Sequence, residues 1–167
     1  LAEIVASRTS EPRKEWTIAE LLSTDFPEPQ WAAPDLVPVG LSFLAGRLKV
    51  GKSWLGLQLA EAVGSGGSFL GRAVEQGRVL YLALEDSGRR LKMRAEAQQI
   101  GPDAQVVFRT EWPFLDEGGM DELIEELDER PVSLLVIDSF SKILSHADQN
   151  EGAEMTAILS RLHRTAH

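Results

Sequence analysis

The chain has 167 residues, 43% of them hydrophobic, no Cys, and a formal net charge of -9 from 26 acids against 17 bases. That length buries one proper core, and the lack of Cys excludes a disulfide framework or a thiolate metal site, which suits a cytoplasmic protein. The acidic balance counts against a dedicated nucleic-acid module, and no apolar run approaches the ~20 residues needed to span a bilayer, so no membrane partner is expected.

Residues 1 to about 15 are polar and expected to be poorly ordered. The sequence opens at Leu1 without Met and closes at His167 inside a helical pattern, as expected of a piece of a longer protein. Thr17-Ile18-Ala19-Glu20 fits a capping box and predicts a short helix through Leu22. Pro27, Pro29, Pro34 and Pro38 forbid continuous helix and predict an extended connector from Phe26 to Pro38. Residues 1–38 thus read as an N-terminal extension, and 39–167 as the folded domain.

That domain begins with Leu41-Ser42-Phe43-Leu44-Ala45, an apolar run of strand length ending at Gly46. Leu55, Leu59, Ala62 and Val63 then mark one face of a helix stopping near Gly64, followed by a glycine-rich loop to Gly71. Val79 to Leu84 predicts a strand buried on both faces, and Ser87 a cap for the helix running toward Ile100. A shorter strand at Val106-Val107-Phe108 precedes a helix carrying Met120, Leu123, Ile124 and Leu127, which Pro131 ends. Leu134-Leu135-Val136-Ile137 predicts a strand leading into Asp138, and Met155, Ile158, Leu159 and Leu162 a last helix. Strands alternating with helices imply an α/β fold, a parallel sheet with helices on both faces.

Gly46-Arg47-Leu48-Lys49-Val50-Gly51-Lys52-Ser53 matches G-x-x-x-x-G-K-[ST] at every fixed position, between a predicted strand and a predicted helix. Backbone N–H groups wrapping a polyphosphate need Gly51 where φ is unusual, and the following helix offers its unpaired N-terminal donors to the anion. In such a loop Lys52 reaches the β- and γ-phosphates, and the Ser53 hydroxyl binds Mg²⁺. Asp138, after four apolar residues, is the expected second carboxylate on the magnesium side. Glu85 and Asp86 close another buried strand at the end where α/β sheets bind ligands. Glu85 is the expected catalytic acid orienting the attacking water, with Asp86 assigned to the start of the next helix. Ser139, next in line, reads equally as a hydrogen-bond donor to the site and as a plain strand-end serine.

Other features take plainer readings. Asp116-Glu117-Gly118-Gly119 matches D-x-x-G, but no buried strand precedes it, so it reads as a turn. Asp121 to Glu129 reads as a solvated acidic helix face, and Arg89, Arg90, Lys92 and Arg94 as a charged surface helix. His146, His163 and His167 lack metal-ligand spacing.

Gly40 to Gly46, Lys49 to Trp54, Val79 to Asp86 and Val136 to Phe140 together resemble the RecA-like ATPases related to the plasmid replicative helicase RepA, over roughly residues 36–165. The resemblance implies a RecA-like P-loop core that binds ATP with Mg²⁺ and works on DNA, single-stranded DNA included, as a homo-oligomeric ring. It implies nucleotide contacts from Gly46, Val50, Gly51, Lys52, Ser53 and Trp54, and supports Glu85 as the catalytic glutamate. It also implies that a central strand, the arginine finger and the DNA-contacting loops lie past residue 167, so that the C-terminal part of the core is missing from this sequence. Two other functions fit the phosphate loop: a P-loop kinase acting on a small molecule, and an ATP-sensing regulator with little turnover.

Overall fold

The computed structural model describes residues 15–145 and 152–165. The expectations for the first fourteen residues, and for His146 and His167, lie outside them. Thr17 caps α1 (Ile18–Ser23) with the expected box: its hydroxyl accepts from Glu20 N at 3.3 Å, and Glu20 Oε2 accepts from Thr17 N at 2.9 Å. The connector is more structured than its prolines predict. It holds an antiparallel hairpin, β1 (Trp31–Ala33) and β2 (Val37–Pro38), whose Ala33 is fully buried. Asp35 turns the hairpin at a φ of 60°, and its carboxylate pairs with Arg72 at 2.6 Å.

Leu41–Ala45 departs from expectation: no strand forms there. Among the described residues no strand pairs with this run, and Phe43 and Leu44 are 59% and 56% exposed. A strand is held by lateral hydrogen bonds, so an apolar pattern without a neighbour does not make one.

α2 (Lys52–Ser65) ends where Gly66 adopts a φ of 71°, a left-handed cap suited to glycine. Leu57 and Ala60 are buried as well as Ala62 and Val63, because the helix is covered on more than its sheet side. The stretch after it, expected as a loop, forms a second small hairpin, β3 (Ser68–Phe69) and β4 (Arg72–Ala73), with Phe69 buried. Leu70 and Gly71 between them both have positive φ, the two-residue turn that matches strand twist.

The central sheet is parallel, with β5 (Val79–Ala83) between β6 (Val106–Arg109) and β7 (Leu134–Asp138). Alternation along β5 feeds two cores. Val79, Tyr81 and Ala83 join Leu57, Ala60 and Leu91, from α2 and from α3 (Gly88–Ala97). Leu80 and Leu82 join Met120, Leu123, Ile158 and Leu162 on the other face, from α4 (Gly119–Glu129) and α5 (Gly152–Thr165). Helices therefore cover both faces, as the sequence predicts. The close approach of α2 is enforced at Gly64, where an added Cβ would stand 2.6 Å from Val106 Cγ2.

The D-x-x-G stretch is a turn. A short 3-10 segment, Leu115–Glu117, runs into Gly118 at a φ of 97°, and a Cβ on Gly119 would meet Pro113 O at 2.2 Å. The acidic helix is not uniformly solvated, however. Glu126 on α4 is buried and bridges Arg78 at 2.9 Å, Arg130 at 3.4 Å and Arg109 at 3.6 Å. The Arg78 hydrogen bond, helped by the charges of Arg130 and Arg109 and opposed by burial, holds its carboxyl below the ordinary 4.5.

Candidate functional site

Parallel strands deliver their C-terminal ends to the same edge of a sheet, and here that edge gathers the carboxylates. Ala83 is the register partner of Asp138, and Leu84 N donates to Asp138 O at 2.7 Å. Glu85 and Asp138 therefore leave neighbouring strands side by side. Ser139 Oγ donates to Glu85 Oε1 at 2.7 Å and lies 3.1 Å from Ser141 Oγ. A hydroxyl thus spans the two strand ends.

The two acids after β5 part company at once. Glu85 is exposed, whereas Asp86 turns inward, is buried, and accepts from Arg90 at 3.2 Å and from Arg94. Ser87 caps α3 by accepting from Arg90 N, so Asp86 belongs to the helix start, as expected. Half of the basic cluster is thereby committed: Arg90 and Arg94 serve Asp86, and Arg94 also lies over the Trp54 ring at 5.7 Å. The spacing of 86, 90 and 94 along one helix face carried that information in the sequence.

Gly46 to Ser53 lies at the start of α2. Gly51 has a φ of 99° and nothing within 4 Å of an added Cβ, so its backbone conformation, not crowding, demands glycine. No side chain caps the helix, which leaves its first N–H groups for an anion. Lys52 Nζ donates to the carbonyls of Gly46 at 2.9 Å and Arg47 at 3.0 Å, so the ammonium folds back over the loop. Its hydrogen bonds stay within the loop and reach neither carboxylate. Beside it a cleft of about 430 Å³ is lined by Leu44, Val50, Gly51, Lys52, Trp54 and Gln98.

One buried side chain, singled out by no sequence pattern, joins the loop helix to the carboxylate edge. Tyr81 Oη donates to Asp138 Oδ2 at 3.0 Å and lies 3.4 Å from Ser53 O. Burial first, and then the negative charge of Asp138, push the phenol well above its ordinary value of 10.0, so it stays a donor. A bulky residue on a fully buried strand reads as core, and only the packing of α2 across β5 reveals where its hydroxyl ends.

The residues present fit a triphosphate with Mg²⁺. An uncapped helix start and a lysine offer the donors that an anion requires. Among the described residues no group of three or more His, Asp or Glu side chains is placed to hold a metal alone. Mg²⁺ needs no such cage, since it takes one or two protein oxygens together with phosphate oxygens and waters. Among the described residues no helix is long and apolar enough to cross a membrane.

Comparison with known proteins agrees with this reading at the level of class. Over 123 residues the chain is 26% identical to the DNA repair protein RadA of Aquifex aeolicus (strain VF5). The match takes in 74% of this chain but 24% of RadA, so the chain spans about a quarter of that relative's length. Residues 6–167 match the AAA_25 family, described as an AAA domain. The chain belongs to that family, within the RecA-like P-loop ATPases.

Proposed function

We propose that this chain is the ATP-binding and hydrolysing part of a Mg²⁺-dependent RecA-like ATPase that couples turnover to unwinding, translocation on, or remodelling of DNA. The observation that carries the reading is the side-by-side exit of Glu85 and Asp138 at the strand ends, tied through Tyr81 to the first turn of α2. The backbone donors around Gly51 receive the phosphates, with Gly46 and Val50 shaping the loop and Trp54 flooring the adjoining cleft. Lys52 leaves the carbonyls of Gly46 and Arg47 for the β- and γ-phosphates, exchanging two neutral acceptors for charged ones. Ser53 and Asp138 would hold Mg²⁺, which would supply neutralisation of the charge developing on the phosphates. Glu85, steadied by Ser139, orients the water that attacks the γ-phosphate.

The DNA side of the proposal rests on the resemblance to RepA-type helicases and on the similarity to the DNA repair protein RadA. The net charge of -9 favours a nucleic-acid grip made by a basic loop outside this segment or by a ring of subunits. The full-length protein is proposed to work as a homo-oligomeric ring in the cytoplasm. ATP turnover of the full-length protein with and without single-stranded DNA tests the reading. Stimulation by DNA supports it, whereas turnover that appears only with a small-molecule phosphate acceptor assigns the loop to a kinase. Tight binding with negligible turnover under both conditions assigns it to a sensor.

A further inference from the structure

Tyr81 is 2% exposed, yet its hydroxyl faces the site rather than the core. Phe108 meets the ring at 5.4 Å between centroids, and Gly56 leaves room for the hydroxyl, since an added Cβ there would stand 3.4 Å from Oη. The phenol has one proton for two neighbouring acceptors. The charged and nearer one, Asp138 Oδ2 at 3.0 Å, takes it in preference to Ser53 O at 3.4 Å.

We propose that Tyr81 is a positioning residue of the site: by occupying Oδ2 it fixes the Asp138 carboxylate so that the other oxygen faces the Mg²⁺ side, and it sets the distance between that carboxylate and the Ser53 turn. The proposal rests on the reading of Asp138 as the metal-side carboxylate. Without the hydroxyl, Asp138 rotates freely and Mg²⁺ must order it at the moment of binding. The affinity for the metal falls, while the affinity for nucleotide alone, set by the loop amides and Lys52, does not.

Tyr81→Phe removes one oxygen and keeps the ring against Phe108. In the full-length protein, binding of a fluorescent ATP analogue is titrated with Mg²⁺ and repeated in EDTA. The Mg²⁺ concentration for half-maximal enhancement of binding is expected to rise roughly tenfold or more, in the range seen when partners behind metal ligands are removed. Binding in EDTA is expected to stay unchanged. In an Asp138→Asn background the same substitution is expected to add nothing further. An unchanged Mg²⁺ midpoint, or an equal loss of binding with and without Mg²⁺, overturns the proposal, the second outcome marking Tyr81 as packing alone. The two readings separate cleanly. If Asp138→Asn shifts the Mg²⁺ midpoint and Tyr81→Phe does not, only the role of Tyr81 fails; if Asp138→Asn shifts nothing, the metal-side reading fails with it. A variant that keeps both the ring and the hydroxyl guards against misfolding. With 3-fluorotyrosine at position 81, the fluorine resonance is expected to move when Mg²⁺ is added to the nucleotide complex, and a resonance indifferent to Mg²⁺ contradicts the proposal.

Discussion

Two apolar runs of strand length meet opposite fates in this molecule. Val79–Ala83 is buried at every position, flanked by β6 on one side and β7 on the other. Leu41–Ala45, as apolar and bordering the phosphate loop, forms no strand and leaves Phe43 and Leu44 largely exposed. Their intrinsic preferences are similar, so the difference lies in lateral company. A run becomes a strand when ladder partners satisfy its backbone and helices cover its faces. The site draws on both. Glu85 and Asp138 come from the paired sheet, whereas the phosphate loop is anchored on its far side by α2.

If that contrast is physical, core substitutions separate the two runs. Leu82→Ala empties a fully buried position on β5, on the face covered by α4, and is expected to cost about 2–5 kcal/mol in a denaturant titration. Glu126→Gln weakens the clamp of α4 on Arg78 and is expected to cost about 1.5–3 kcal/mol near neutrality, the range for hydrogen bonds to charged groups. That clamp has a pH signature. The folded carboxyl titrates below the ordinary 4.5, so its stabilisation is present above that value and is lost as pH falls through the lower folded one. Unfolding free energy measured from pH 6 downward should fall less steeply in Glu126→Gln than in the wild type.

Gly64→Ala tests the close approach of α2 to β6. The new methyl would press on Val106 at 2.6 Å and on the Gln105 backbone at 3.3 Å, at an expected cost of about 1–3 kcal/mol. Leu44→Ala, in the unpaired run, is expected to change the stability of this chain by no more than about 0.5 kcal/mol. A loss at Leu44 comparable to that at Leu82 would abolish the contrast.

The sequence was legible where signals are local or where periodicity reports burial on both faces. The Thr17–Glu20 capping box, the Ser87 cap, β5, β7 and the D-x-x-G turn at Gly118 all follow from neighbours within a few residues. The hairpins at Trp31–Pro38 and Ser68–Ala73 were not, because prolines and glycines announce a turn without saying whether its flanks pair. Glu126 read as one more acid on an acidic helix, since the three arginines that bury it come from other segments or from the helix end. At the site, the loop and both carboxylates were visible as residue types in order. The Ser139–Glu85 bond and the Tyr81 link depend on strand register and on how α2 lies across the sheet.

Glu85→Gln is expected to lower ATP turnover by about 10²–10⁴-fold, the usual share of a general base, while nucleotide binding persists. Equal rates for variant and wild type would remove Glu85 from that role. The most direct test of the whole account is a structure of the full-length protein with Mg²⁺ and a non-hydrolysable ATP analogue. It should show the phosphates against the amides of Gly51 and Lys52, and Lys52 Nζ released from Gly46 and Arg47. The metal should lie between Ser53 Oγ and the Asp138 side of the site. A nucleotide seated elsewhere, with Lys52 still bound to its own loop, would contradict it.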